Sequence, residues 1–240
     1  MSGAGDALRS AVALAERLAA SAASRQGPSH DRNEDSYLAI PEAGLFCVAD
    51  GLGGHLDGQL ASRAITSILE RVVDPLHPLE ARLEDVESAL LSINAALIRA
   101  AERTSRDVVI GSTVAAVLLD HAFGICLWAG DSRCYLARGA HLFQLTRDHA
   151  IRRERGTGTM LTRAIGSKPD LELERVVFAV EPGDVLLVCS DGLNAGLPTA
   201  AIHTLLAREG TDARALVDAA VEGGSRDDVT CVLVHVGPAP

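Results

Sequence analysis

Five apolar segments of this chain each carry an acid at one end, and that pattern constrains the fold more than any other feature. The stretch Leu45–His55, LFCVADGLGGH, begins as a continuous apolar run and stops on Asp50. Such a run reads as a buried strand. Gly51, Gly53 and Gly54 follow, so the backbone there is open to conformations closed to other residues. Ile125–Asp131 (ICLWAGD) and Val185–Gly192 (VLLVCSDG) repeat the design with Asp131 and Asp191. The order reverses where Asp227-Asp228 lead into Val229–Val236 and where Asn33-Glu34-Asp35 lead into Ser36–Ile40. Charges are rarely buried unless paired or bound to metal. If the five ends converge, they form a carboxylate cluster that needs cations.

The rest of the chain limits what can surround such a cluster. At 240 residues there is room for one large domain or two small ones. Hydrophobic residues make up 48% but aromatics only 3%, so the core must be built from Leu, Val, Ile and Ala. A net charge of −10 argues against a nucleic-acid partner, which wants a basic footprint. It does not exclude an anionic substrate, because bound divalent cations reverse the local sign. Cys47, Cys126, Cys134, Cys189 and Cys231 all fall in predicted strands without zinc-like spacing, which reads as a reduced, cytoplasmic protein. No stretch is long and apolar enough to span a membrane, and no secretory signal is apparent.

In order, residues 6–18 read as a short helix and 19–24 as a first strand. Residues 27–35 are polar and turn-rich. Residues 57–73 form an amphipathic helix, with Leu60, Ala61, Ala64, Ile65, Ile68, Leu69 and Val72 on one face. Pro75 and Pro78 end it, and Leu83, Val86, Leu90, Ile93, Leu97 and Ala101 mark a longer second helix. Strands at 111–119, 123–129 and 134–138 have hairpin-length connections, so the sheet there is antiparallel. A polar stretch at 152–159 reads as a loop. Strands at 173–180, from 185 and from 229 alternate with helices at 199–208 and 212–221. Many strands with two separate helix pairs and no low-complexity linker make one domain the economical reading.

The acids dictate the chemistry. Carboxylates, a backbone carbonyl at Gly51 and water are hard oxygen ligands that suit Mg²⁺ or Mn²⁺ rather than zinc. Several Asp around one cleft suggest two or more ions sharing bridging carboxylates, a pair able to activate water and clamp the oxygens of an in-line phosphoryl displacement. There is no nucleophile-elbow serine and no Walker-type nucleotide loop.

At this point the residues resemble a family. The ordered set Asn33-Glu-Asp35, Ala49–His55, Gly111-Ser-Thr113, Ala129–Arg133, Leu145–His149, Leu161–Gly166, Cys189–Gly192 and Asp227–Thr230 is similar to the metal-dependent Ser/Thr protein phosphatases, the PPM or type 2C family, and most like its bacterial branch. The resemblance implies an α+β fold: a four-layer α/β/β/α sandwich of two antiparallel sheets flanked by helix pairs. It implies a phosphatase domain at 19–236, preceded by a helical extension at 1–18 and followed by a tail at 237–240. It implies two core Mn²⁺ or Mg²⁺ ions and a third, weaker one. Asp50 would bridge the core pair, joined by the Gly51 carbonyl. Asp191 and Asp227 would bind the second ion, Glu34 and Asp35 would act on the shell, and Asp131 would serve the third. Asp50, Asp191 and Asp227 are thus the expected catalytic set.

Three departures from the family pattern stand out. The Arg that holds substrate phosphate three residues before Asn-Glu-Asp is His30 here, with Arg32 nearby, so phosphate contact falls to that pair. The closing Asp-Asn is Asp227-Asp228, with no evident role for the second acid. The flap at 150–160 is short. His55 and His149 invite assignment as general acids, against a structural hydrogen-bonding role for each.

The expected function is hydrolysis of phosphoserine and phosphothreonine on proteins, substrates of a Ser/Thr kinase, by a monomer without membrane or nucleic-acid partners. The alternative is a pseudophosphatase that binds phosphoproteins without turnover.

Overall fold

The computed structural model describes residues 3–52, 56–104, 109–152 and 159–238. Helix α1 (Gly3–Arg17) leads into strand β1 (Leu18–Arg25), then β2 (Asp35–Ile40) and β3 (Leu45–Leu52). Helices α2 (Leu56–Val72) and α3 (Leu79–Thr104) follow. A meander comes next, of β4 (Gly111–Ser112), β5 (Val114–Leu119), β6 (Phe123–Ala129), β7 (Arg133–Arg138) and β8 (His141–Gln144). The short strands β9 (Ala150–Arg152) and β10 (Thr159–Leu161) precede β11 (Glu174–Ala179) and β12 (Val185–Cys189). Helices α4 (Asp191–Gly196), α5 (Thr199–Leu206) and α6 (Ala213–Glu222) and strand β13 (Val229–Val236) complete the chain.

Two antiparallel sheets are stacked. One runs β1-β13-β12-β7-β8, and the other runs β11-β6-β5-β3-β2 with β4 added to β3. Alternate residues of each central strand face opposite ways. Phe46 and Val48 of β3 meet Cys134, Leu136, Val188 and Val232 of the facing sheet in a core between the two. Leu45, Cys47 and Ala49 point the other way, onto Ile65 and Leu69 of α2 and Leu90 of α3. Both faces of β3 are therefore covered, which is why its sequence is uninterruptedly apolar rather than alternating. A third core packs Leu187, Cys189 and Cys231 against Leu193, Ile202, Leu216 and Val217 of the C-terminal helices. The layers are thus helix, sheet, sheet, helix, the sandwich that the resemblance implied.

Some sequence expectations shift. The buried stripe of α2 is narrower than read: Leu60 and Val72 are exposed, because α3 and the sheet together cover only the face of Ala61, Ile65 and Leu69. Strand β8, half of it polar, and helix α4, a single turn and a half, carried too little pattern to be found. The stretch read as a loop at 152–159 is bracketed by β9 and β10, whose register pairs Met160 with Ile151. All five cysteines are buried and unbridged. No helix among the described residues is long and apolar enough to cross a membrane.

Candidate active site

The acids arrive from five segments and meet at one end of the sandwich. Asp50 lies within β3, which runs on two residues further to Leu52. Antiparallel pairing of β2 sets Asp35 directly opposite Asp50. Asp131 follows β6, Asp191 opens α4 where β12 ends, and Asp227 stands two residues before β13. Asp50 is crowded by protein atoms yet keeps an opening to solvent.

Their electrostatics show the convergence. Burial pushes the Asp50 carboxyl well above the usual carboxylate range, and Asp35, Asp191, Asp227 and Asp131 push it further. Burial likewise raises Asp35 to about 7, against the hydrogen bonds from Thr230 and Ser190 that favour its ionised form. Asp191 rises to about 7 through burial and the charges of Asp131 and Asp227, while a hydrogen bond with Asp50 and the nearby Arg133 hold it down. Asp131 is raised chiefly by burial, with Asp148 and Asp227 adding to the shift and Arg133 opposing it. Four carboxyls shifted upward together are a site built for positive charge.

A more direct sign comes from unsatisfied oxygens. Asp35 Oδ1 and Asp191 Oδ1 are buried without a hydrogen-bond partner among the described residues. Buried polar atoms are ordinarily paired, and exceptions call for an explanation. Two orphaned carboxylate oxygens among mutually repelling acids fit divalent cations, and the donor set is all oxygen, as Mg²⁺ and Mn²⁺ require.

The backbone carrying these acids is tied down by small hydroxyls. Thr113 Oγ1 accepts from the Asp50 N–H at 3.1 Å, Ser112 Oγ donates to the Asp50 carbonyl at 2.9 Å, and the Thr113 N–H donates to the same carbonyl at 2.8 Å. Thr113 and Ser132 hydroxyls lie 2.6 Å apart, which links the Asp50 and Asp131 segments. Ser190 Oγ donates to Asp35 Oδ2 at 2.8 Å. The sequence displayed these residues in its Gly-Ser-Thr, Gly-Asp-Ser-Arg and Ser-Asp-Gly runs without revealing that their task is to hold neighbouring acids. Close backbone approach also matters. A Cβ on Gly58 would lie 2.2 Å from Glu34 Oε2, so a larger residue there would displace the Glu34 carboxylate.

Arg133 forms a bidentate pair with Asp148 at 2.9 and 2.7 Å, which docks the 145–149 segment beside Asp131. His149 is buried, stacks on Trp128 with ring centroids 6.0 Å apart, and accepts from the Gly130 N–H at 3.2 Å. Its other nitrogen meets Glu174 at 3.1 Å. These contacts match the structural role rather than a general acid. His55, Gly53 and Gly54 lie outside the described residues, as does the centre of the flap at 153–158.

His30 and Arg32 occupy the loop before β2. Arg32 is exposed and makes no ion pair with a described residue. His30 Nδ1 lies 3.0 Å from Asp228 Oδ2 and 3.5 Å from Asp227 Oδ1. Burial works to lower the His30 pKa, but the hydrogen bond and charge of Asp228, with Asp227 and Glu34, outweigh it and hold the imidazole above its usual value. His30, Asp227 and Asp228 bring ligand atoms within 4.8 Å of one another. That trio is nonetheless a poor metal site, because Asp228 spends both oxygens on N–H donors: Gly27 at 2.8 Å on Oδ1, and Glu34 at 2.7 Å with His30 on Oδ2.

A two-sheet sandwich with an acid cluster at one end defines a class, and comparison with known proteins agrees. The family described as Protein phosphatase 2C matches residues 22–221. The chain belongs to that family and is a serine/threonine protein phosphatase of bacterial type. The serine/threonine phosphatase stp of Listeria innocua is 29% identical over 214 residues, covering 80% of this chain and 84% of the relative. The structure of PppA from Pseudomonas aeruginosa, described as a key regulatory component of T6SS, superposes with a TM-score of 0.85 at 33% identity, over 91% of this chain and 97% of that one. The catalytic domain of the serine threonine protein phosphatase PstP, solved in complex with 2 manganese ions, gives a TM-score of 0.78 at 30% identity, over 92% of this chain and 99% of the other.

Proposed function

We propose that this enzyme hydrolyses phosphoserine and phosphothreonine monoesters on proteins at the Asp35–Asp50–Asp191–Asp227 cluster, using two Mn²⁺ or Mg²⁺ ions. The observation that carries this reading is the pair of orphaned oxygens on Asp35 and Asp191, buried among acids that repel one another. When bound, the cations supply Lewis acidity and an activated water for in-line displacement. The chain's own residues do the rest. Asp50, which Asp35 and Asp191 both crowd, would hold the ions together with the Gly51 carbonyl. Asp191 and Asp227 would hold the second ion. Glu34 and Asp35 would complete the shell, and Asp131 would hold a third, weaker ion. Arg32 offers an exposed guanidinium to the substrate phosphate, with His30 as its neighbour in that task. The relatives support turnover, and no observation favours a binding-only pseudophosphatase.

Within the same reading, residues 19–236 form the catalytic unit, 1–18 a helical extension, 150–160 a short flap and 237–240 a tail. The enzyme acts as a cytoplasmic monomer, without membrane or nucleic-acid partners, on proteins phosphorylated by a Ser/Thr kinase. The test is hydrolysis of p-nitrophenyl phosphate and of a phosphothreonine peptide with Mn²⁺ and with excess chelator. Turnover confined to the metal-containing samples supports the reading, and equal turnover in chelator contradicts it.

A further inference from the structure

Asp228 is a charged side chain only 3% exposed, yet it stands one residue from half-exposed Asp227. Its contacts explain why it is kept. The loop from Gly27 to Glu34 closes into a ring around this one carboxylate, which accepts from the backbone N–H at each end of the loop and from His30 Nδ1 in the middle. The Ser29 N–H donates to the Arg226 carbonyl at 3.1 Å, and Gln26 Nε2 donates to the His30 carbonyl at 2.8 Å, so the loop is fixed from both sides. A carboxylate on Nδ1 fixes the ring orientation and the tautomer of a histidine. The His30 side chain is partly exposed and lines a cavity of about 450 Å³ that Asp227 also lines.

We infer that Asp228 is a positioning residue: it holds the imidazole of His30 so that Nε2 meets the phosphorylated substrate beside Asp227, and it takes no part in ligating metal. The inference rests on the phosphatase reading of the acid cluster. Asp227 and Asp228 thereby divide their labour, the exposed acid turned to the cluster and the buried one to the loop.

The test is a double-mutant cycle of Asp228→Asn and His30→Ala, read on KM and kcat for a phosphothreonine peptide, with Mn²⁺ affinity measured by calorimetry. Asp228→Asn turns one acceptor into a donor. It is expected to raise KM about three- to tenfold, as loss of one oriented hydrogen bond does, with kcat changed less. In the His30→Ala background the same change is expected to raise KM less than about twofold, because no ring remains to orient. Should Asp228→Asn not fold, His30→Asn replaces it. Its amide reaches Asp228 where Nδ1 does but carries nothing at the Nε2 position, so it must keep the melting temperature and still raise KM. Additive effects, an unchanged KM in His30→Ala or His30→Asn, or a tenfold weaker Mn²⁺ affinity in Asp228→Asn would overturn the inference. Wild-type turnover reports separately on the phosphatase reading. If there were none, the cycle would be read on the peptide's Kd in Mn²⁺, with the same outcomes deciding.

Discussion

Asp35 and Asp50 face each other across β2 and β3, register partners on adjacent antiparallel strands. Like charges directly opposite in a sheet destabilise it. This pair, with Asp191, therefore makes the metal-free protein sensitive to pH. The folded-state pKa values of Asp35 and Asp191 are raised to about 7, so between about pH 4 and 7 the folded chain holds protons that the unfolded chain has released. Stability of the chelated protein should accordingly fall as pH rises through that window. Thermal melting in chelator should give a lower Tm at pH 8 than at pH 5.5, and Mn²⁺ should raise Tm more at the higher pH. A chelated Tm that climbs from pH 5.5 to 8 would contradict the raised carboxyls.

Removing single ligands should separate the acids by role. Asp191→Asn and Asp227→Asn each take one anion from a site that must hold +4 of cation charge. Turnover should fall by orders of magnitude while circular dichroism stays native. If Asp227→Asn retained wild-type turnover and Asp228→Asn lost its Mn²⁺ affinity, the ligand would be the second acid of the pair.

Thr113→Val tests the hydroxyl that holds Asp50. The side chain is fully buried, and valine keeps its shape while leaving the Asp50 N–H without its acceptor. The cost should be about 1–3 kcal/mol of stability, with weaker Mn²⁺ binding in calorimetry. Unchanged affinity would show that the hydroxyl supports the fold but not the site.

Gly192→Ala probes the seat of α4. A Cβ there would stand 2.0 Å from the Asp228 carbonyl oxygen, a backbone atom with no freedom to withdraw. Overpacking of this kind costs about 1–3 kcal/mol. The variant should melt several degrees lower and lose metal affinity, because Asp191 must move with its helix.

Phosphate contact can be divided between Arg32 and His30 by pH. Arg32→Ala should raise KM about ten- to a hundredfold, the effect of losing a charge-assisted contact of about 1.5–3 kcal/mol. A guanidinium does not titrate in the working range, so that contribution should be flat between about pH 6 and 8. Any contribution from His30 as imidazolium is complete at low pH and lost as pH passes its pKa, which Asp228 and its neighbours hold above 6.5. KM values of Arg32→Ala and His30→Ala that match wild type throughout would mean that neither touches the phosphate.

The sequence revealed the parts of this molecule that repeat or run long. Asp50, Asp131 and Asp191 each follow an apolar run, so strand ends and acids were read together, and α3 announced itself through Val86, Leu90, Ile93 and Leu97. What stayed hidden depends on contacts between distant residues. Asp228 looked like a surplus charge because its three donors, Gly27, His30 and Glu34, lie about two hundred residues away. Ser190 carries no signal of its own until folding sets it 2.8 Å from Asp35. Leu60 shares the period of the buried face of α2, and only the width of the neighbouring layer decides that it is exposed.

The register of β1 with β13 runs from Leu18↔Val236 to Arg25↔Val229, joining the two extremes of the fold as neighbours. Asp35 is made on the ribosome long before Asp227. Contacts of such long sequence separation form late and slowly. A nascent chain carries most of the acids but cannot gather them, so it has no competent metal site to load. The site can assemble only once β13 has been synthesised and slots in beside β1.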